Sequence, residues 1–207
     1  MVRSVRRRHL AMRLSSLAPH PQHDAQLEQY ATEGDLAARW LGEIHTFGDL
    51  EGRPVVDVGA GNGILGLGAM LLGASSLLMV EADHEVLAVA GSNAELLGLE
   101  ATLLCRTLSA EEGLPTIEGS TVVANPPWGF QAKGADRPVL EGIFSSDAEV
   151  VHLMHHAEAV HVVPLAHHLG WQAEDVLVSA FRLPPVHAHQ GSGRRSTDVI
   201  CRRFTRA

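Results

Sequence analysis

Asn125-Pro126-Pro127-Trp128 combines residue types that can do chemistry at adjacent positions. Asn125 offers a side-chain carbonyl as hydrogen-bond acceptor, and the Pro126 backbone carbonyl supplies a second. Two acceptors side by side suit a planar –NH2 group. Trp128 offers a flat face on which a base can stack, worth about 1–3 kcal/mol. An exocyclic amine held this way loses delocalisation into its ring as it pyramidalises, so its lone pair can attack an electrophile. The tetrapeptide alone is also compatible with a plain proline turn, and the decision falls to the rest of the chain.

A second stretch, Asp57-Val58-Gly59-Ala60-Gly61-Asn62-Gly63, follows the apolar Pro54-Val55-Val56. Glycines permit positive φ and close backbone approach to a ligand. A helix predicted over residues 64–72 would add unpaired N–H groups and a positive dipole end. The spacing Gly59-x-Gly61-x-Gly63 departs from the dinucleotide pattern. Asp57 suits a cationic amino-acid moiety better than a pyrophosphate. Glu81 lies twenty residues beyond Gly61, where an acid accepts hydrogen bonds from ribose hydroxyls.

The elements needed to position these groups are legible as periodicity. Thr121-Val122-Val123-Ala124 is a short, β-branched, apolar run, and the two prolines end it. Leu77-Leu78-Met79-Val80 and Thr102-Leu103-Leu104-Cys105 read as two further strands. Asp83 reads as the N-cap of a helix carrying Val86, Leu87, Ala90 and Leu97. Alternating strands and helices predict an α/β fold: one doubly wound, mostly parallel sheet with sites at the carboxyl ends of its strands. A strand over 148–154, a helix over 158–170 and two strands over 176–181 and 197–201 complete it, the last two as an antiparallel hairpin. Residues 1–50 read as an N-terminal helical extension. Its basic first helix has Leu10, Leu14 and Leu17 on one face, and a second carries Leu36, Ala37, Trp40, Leu41 and Ile44, with Thr32 as cap. Residues 51–207 form the main domain.

Composition narrows the partners. The 207 residues carry a net charge of −8 and 45% apolar residues, enough for one domain with a sizeable core. The charge argues against a generally basic nucleic-acid coat. Arginines nevertheless crowd both ends: Arg3, Arg6, Arg7, Arg8 and Arg13, then Arg194, Arg195, Arg202, Arg203 and Arg206. Basic arms on an acidic body fit a phosphate-bearing partner, as they also fit solvated terminal charge. Cys105 and Cys201 read as reduced core residues of a cytoplasmic protein. No apolar run is long enough to span a membrane. Of thirteen histidines, six lie between His152 and His168 without cysteine partners or a carboxylate at clean metal-ligand spacing, and no metal site is assigned.

With these motifs assembled, the chain resembles the class I S-adenosylmethionine-dependent methyltransferases, and in particular the methyltransferase-like protein 5 family of rRNA adenine-N6 methyltransferases and their archaeal relatives. The resemblance is carried by Leu27-Glu28-Gln29-Tyr30-Ala31-Thr32, the Asp57–Gly63 turn, Asn125-Pro126-Pro127-Trp128-Gly129-Phe130, Lys133-Gly134-Ala135-Asp136 and Ser196-Thr197-Asp198-Val199. It implies S-adenosylmethionine as cofactor, methyl transfer to adenine N6 in structured RNA, and a small zinc-ribbon activator protein as partner. It implies that Gln29 and Tyr30 fold over the cofactor and Thr32 helps seat it. Asp57, Gly59, Gly61 and Asn62 would form the cofactor loop, with Glu81 as the ribose acid. Asn125, Pro126, Pro127 and Trp128 would be the catalytic tetrad. Phe130, Lys133, Arg194 and Arg195 would meet the substrate. Two positions depart from the family. An acid normally follows the third strand to bind the adenine amine; here the chain reads Arg106-Thr107-Leu108-Ser109, which leaves two readings open: Thr107 or Ser109 substitutes, or cofactor affinity is lower. Trp128 replaces the usual phenylalanine. Two alternatives remain open: glutamine-N5 methylation of a protein, which uses the same motif logic on an amide, and a non-catalytic RNA-binding scaffold.

Overall fold

The computed structural model describes residues 7–19, 32–108, 113–115, 118–128, 134–182 and 196–207. The strands are β1 (Pro54–Val58), β2 (Ser76–Glu81), β3 (Thr102–Cys105), β4 (Thr121–Ala124), β5 (Val150–His156), β6 (Trp171–Arg182) and β7 (Ser196–Arg206). The helices are α1 (Arg7–Ser15), α2 (Gly34–Thr46), α3 (Ile64–Leu71), α4 (His84–Leu97), α5 (Arg137–Phe144) and α6 (Val162–His168). One sheet runs β3-β2-β1-β4-β5-β7-β6. β1 to β5 pair in parallel, and β7 is antiparallel to both β5 and β6.

The central strands are mostly apolar because helices cover both faces. On one face Val55, Met79, Val123, Met154 and Cys201 join Trp40, Leu41 and Ile44 of α2, Leu65 and Leu67 of α3 and Ala90 of α4. Leu10, Leu14 and Leu17 are buried in that same core, so the basic helix docks its leucine face and leaves Arg7, Arg8 and Arg13 exposed. On the other face Val56, Val122 and Val151 pack with Leu140, Ile143 and Phe144 of α5 and Val162 of α6. Asp49 fastens the opposite end of the sheet. Its buried carboxylate accepts from His152 Nε2 at 2.8 Å and Arg203 Nε at 2.7 Å.

Several sequence expectations shift: the strand expected over 197–201 runs on to Arg206, and the helix expected over 158–170 is confined to Val162–His168. β5 begins and ends two residues later than 148–154. β6 extends back to Trp171, because Arg203 and Arg202 on β7 pair across the strands with Glu174 and Asp175 and stabilise a polar, edge-exposed stretch. The N-cap of α2 is Glu33, without a side-chain cap bond; Thr32 does not cap because the helix begins at Gly34, one residue too late for it, and its hydroxyl accepts from Asn125 Nδ2 instead. Cys201 is buried, whereas Cys105 is exposed, since β3 is an edge strand.

Candidate active site

Strand register brings the chemistry together. Val58 pairs with Val80 on one side and with Ala124 on the other. The next residues, Gly59, Glu81 and Asn125, therefore leave the sheet level with one another. They open onto a cavity of about 740 Å³, also lined by Thr32, Gly61, Asn62, Ile64, Leu65, Asp83, His84, Arg106, Thr107, Leu108, Pro126, Pro127, Ala135 and Val139. β5 overshoots β4, since Leu153 pairs with Ala124. His155 and His156 thus flank the turn that carries Trp128.

Glu81 organises the glycine turn. Its Oε2 accepts from Gly61 N at 3.0 Å, and its Oε1 accepts from Ala82 N at 2.8 Å and Asp83 N at 3.2 Å. Gly61 and Gly63 hold φ of +56° and +83°, which L side chains rarely adopt. The Asp83 carboxylate caps α4 through Glu85 N and Val86 N, as expected.

Asp57 departs from its expected role. It does not line the cavity; it is 1% exposed, and its Oδ2 accepts from Gly66 N at 2.7 Å. A Cβ on Gly66 would sit 2.6 Å from Leu77 Cδ1 and 3.0 Å from Asp57 Cβ, so glycine mid-helix is what lets α3 approach β1 this closely. Burial is the largest effect on the Asp57 carboxyl; the Gly66 N–H opposes it and the Glu81 charge adds to it, pushing the pKa up to about 8. An acid raised above its unfolded value contributes stability that is full below about pH 4 and is lost as pH rises through the folded value. Asp57→Asn, which still accepts from Gly66, is expected to flatten the fall in thermal midpoint as pH rises toward about 8, measured by thermal denaturation across pH. An unchanged pH profile would refute the assignment.

Asn125 is held at both ends of its carboxamide. Trp128 Nε1 donates to Asn125 Oδ1 at 3.0 Å, and Asn125 Nδ2 donates to Thr32 Oγ1 at 3.1 Å. Trp128 is not an open stacking face. It is 2% exposed, edge-on to Phe181 with centroids 4.8 Å apart, and 6.4 Å from His155 and from His156. The ring belongs to the apolar core that contains Met154 of β5, Phe181 of β6 and Val199 and Cys201 of β7.

A clamp that sequence reasoning missed ties the extension to the cofactor turn. Asn93, buried on α4, accepts from Ala18 N at 2.8 Å and donates to Ala18 O at 3.1 Å and Asn62 O at 2.9 Å. Asn62 Nδ2 also donates to Ala18 O at 3.0 Å. The signal was an asparagine between Ala90 and Ala94 on an otherwise apolar helix face. Asn93→Ala is expected to cost about 0.5–1.5 kcal/mol by removing the half-buried hydrogen bonds that hold Ala18 and Asn62, and to weaken cofactor binding through Asn62. Denaturant unfolding and calorimetry check both; wild-type values in both would refute the clamp.

Asp136, expected only as part of a motif, meets two of the histidines. Its Oδ2 lies 2.9 Å from His155 Nε2 and 2.6 Å from His161 Nε2. These three are a possible metal-ligand set, and Asp136 is the carboxylate that linear spacing concealed. His155 Nδ1 accepts from His156 N at 3.0 Å, so its proton sits on Nε2 and points at Asp136. The cluster is therefore a hydrogen-bonded hub joining the start of α5 to the end of β5. Its imidazole neighbours, after burial itself, lower the pKa of His156.

Thr32, Gly59, Gly61, Asn62, Glu81, Thr107, Asn125, Pro126 and Pro127 all line the cavity. Gln29, Tyr30, Ser109, Phe130, Lys133, Arg194 and Arg195 lie outside the described residues. Among the described residues, the C-terminal arginines are engaged: Arg202 pairs with Asp175, Arg203 with Asp49 and Glu174, and Arg206 lies over Trp171.

The model of the ribosomal protein L11 methyltransferase (PrmA) family matches residues 34–126, the cofactor half through Pro126. A candidate RNA methyltransferase from Pyrococcus horikoshii superposes with a TM-score of 0.85 at 30% identity, over 98% of this chain and 97% of that one. The chain belongs to the class I S-adenosylmethionine-dependent methyltransferases. Among relatives of this methyltransferase is the rRNA N(6)-adenosine-methyltransferase METTL5 of Danio rerio, 26% identical over 84% of each chain. The ribosomal protein L11 methyltransferase of Xanthomonas euvesicatoria is 37% identical over 44% of this chain, which spans 28% of that protein.

The residues present fit S-adenosylmethionine. Glu81 and the glycine turn suit a ribose beside backbone donors. Ile64, Leu65 and Leu108 give apolar walls for a base. The position following β3 lacks the usual acid, and Arg106 and Thr107 line the cavity in its place. When bound, the cofactor supplies a methyl carbon attached to a cationic sulfur.

Proposed function

We propose that this methyltransferase acts on adenine N6 in structured RNA, with small-subunit rRNA as the substrate to test first. The observation that carries the reading is the Asn125–Pro126 turn at the cavity wall, its Asn125 oxygen fixed as an acceptor by a group that can only donate. A carbonyl oxygen has two lone pairs; Trp128 takes one, and the other remains for an amine. Asn125 Oδ1 and Pro126 O accept the two N6 hydrogens and draw the lone pair out of conjugation. Nitrogen bonds to the methyl carbon as the carbon–sulfur bond breaks, its electron pair staying on sulfur. The extra N6 proton then leaves to solvent, so no strong base is required. Rate comes from positioning. The target base has to be unstacked to reach the site.

RNA is favoured over a protein acceptor because the match to the rRNA enzyme covers 84% of each chain, whereas the chain spans less than half the length of the protein-directed L11 methyltransferases it matches. Exposed Arg7, Arg8 and Arg13 on α1 add phosphate-binding capacity. The proposal includes a small zinc-ribbon activator and a cytoplasmic location. β3 is a sheet edge, and its own Leu103 and Leu96 of α4 are 42% and 67% exposed, a surface suited to a partner strand.

The test is transfer from labelled S-adenosylmethionine to purified small-subunit rRNA, with and without the zinc-ribbon protein, and in a parallel reaction to a purified release factor, the products read by mass spectrometry. N6-methyladenosine is the expected product. Label in a protein fraction as N5-methylglutamine, with none in RNA, would replace this reading with the glutamine one.

A further inference from the structure

We infer that Trp128 and Thr32 are positioning residues that lock the Asn125 carboxamide in one orientation, Trp128 acting through its indole N–H and not through its ring face. The inference rests on the reading above only in that Asn125 orients the acceptor amine.

The two ends of a carboxamide look alike in shape and opposite in hydrogen bonding. Flipped by half a turn, Asn125 would present an NH2 to the acceptor amine, donor against donor. The structure contains a device against the flip. An indole nitrogen donates and never accepts, so Trp128 Nε1, 3.0 Å away, selects the oxygen end. The Thr32 hydroxyl, 3.1 Å from Nδ2, accepts from the amide end. Phenylalanine in place of Trp128 would leave the selection to Thr32, whose hydroxyl can donate or accept and so does not discriminate. Trp128 is itself immobilised: Phe181 meets it edge-on, and His155, tethered by Asp136, lies beside it. With 2% of its surface exposed the ring has little face to offer a base. Thr32 stands immediately before the Glu33 cap of α2, so the same bond fastens the N-terminal extension to the catalytic turn.

The experiment compares Trp128→Phe, Thr32→Val, Thr32→Ser and the Trp128→Phe/Thr32→Val double variant in full-length protein. Trp128→Phe keeps an aromatic face and removes only the donor; Thr32→Val keeps the volume and removes the hydroxyl. Each is expected to lower kcat for methyl transfer to rRNA about tenfold, with KM for S-adenosylmethionine within about twofold of wild type. Thr32→Ser should restore most of kcat. Because both act on one amide, the double variant should lose less than the product of the single losses. Wild-type kcat in Trp128→Phe, or a raised cofactor KM with unchanged kcat in Thr32→Val, would overturn the inference.

A readout independent of RNA is the Trp128 indole N–H resonance in ¹⁵N-labelled protein, assigned by its loss in Trp128→Phe. It should exchange slowly with solvent, and faster in Thr32→Val as the amide gains freedom. Exchange as fast as in free tryptophan would also overturn the lock. A protected indole proton in an enzyme that methylates no RNA separates the two questions: the acceptor assignment fails and the lock stands.

Discussion

Replacing Asn125 with alanine is expected to lower methyl-transfer turnover by about a hundredfold or more while the affinity for S-adenosylmethionine stays within a few-fold of wild type. The asymmetry follows from placement. Asn125 lies at the end of β4, at one edge of a cavity whose other wall is built by the glycine turn and Glu81. Its bonds run to Thr32 and Trp128, none to the glycine turn. Removing the amide withdraws one of two acceptors that hold the amine, and a misplaced nucleophile reacts slowly even when bound. The alanine variant also leaves the Trp128 indole N–H without this partner in a buried site, which costs stability of order 1–3 kcal/mol. Asn125→Asp controls for that loss. It keeps an oxygen toward Trp128, and its second oxygen accepts from the Thr32 hydroxyl. The Asp variant should therefore melt close to wild type and still turn over slowly, because a carboxylate no longer donates to Thr32 and carries a charge the amide lacks. Calorimetric cofactor titration beside a single-turnover assay decides the matter. Near-wild-type turnover in both variants would remove Asn125 from the mechanism.

The strands and the helix order were legible in the sequence because parallel strands covered on both faces leave continuous apolar runs. Thr102–Cys105 and Thr121–Ala124 emerge with the expected ends. The Asp83 cap and the twenty-residue distance from Gly61 to Glu81 were equally plain, since each depends on residues near in sequence. What failed depends on contacts across the fold. Thr32 reads as a cap because it precedes a helix; its actual partner is Asn125, 93 residues away. Asp57 reads as a ligand group because it precedes the glycines. The strand's alternation turns it inward instead, onto α3, where only Gly66 leaves room. Trp128 reads as a stacking face because aromatic residues at this position often are one. Its burial comes from Phe181 on β6, an edge strand whose length was underestimated because cross-strand ion pairs carry its polar half. Asp136 seemed no metal or hub residue because its partners, His155 and His161, lie 19 and 25 residues further on. Asn93 lies on a helix whose apolar residues alone carry the periodicity, and its value lies in holding Ala18 and Asn62 together.

Glu81→Ala is expected to weaken S-adenosylmethionine binding by about a hundredfold, more than a lost ribose contact alone would do. The carboxylate has about four acceptor positions, and three are already filled by Gly61, Ala82 and Asp83 N–H groups. Hydrogen bonds to a charged acceptor contribute roughly 1.5–3 kcal/mol each. Alanine thus removes the group that pins Gly61 in its positive-φ turn as well as the acceptor left for a hydroxyl, and the backbone donors of the turn lose their alignment. Glu81→Gln separates the two effects. A carboxamide has one oxygen, so its NH2 must face either Gly61 N or the Ala82 and Asp83 N–H pair, donor against donor. Gln should therefore bind nearly as poorly as Ala, whereas a side chain acting on ribose alone would tolerate the amide. The loss should appear in calorimetric Kd and in KM for the cofactor, with kcat at saturating cofactor changed far less than by Asn125→Ala. An unchanged Kd in Glu81→Ala would mean that the glycine turn holds its shape unaided and that the cofactor is held elsewhere in the cavity.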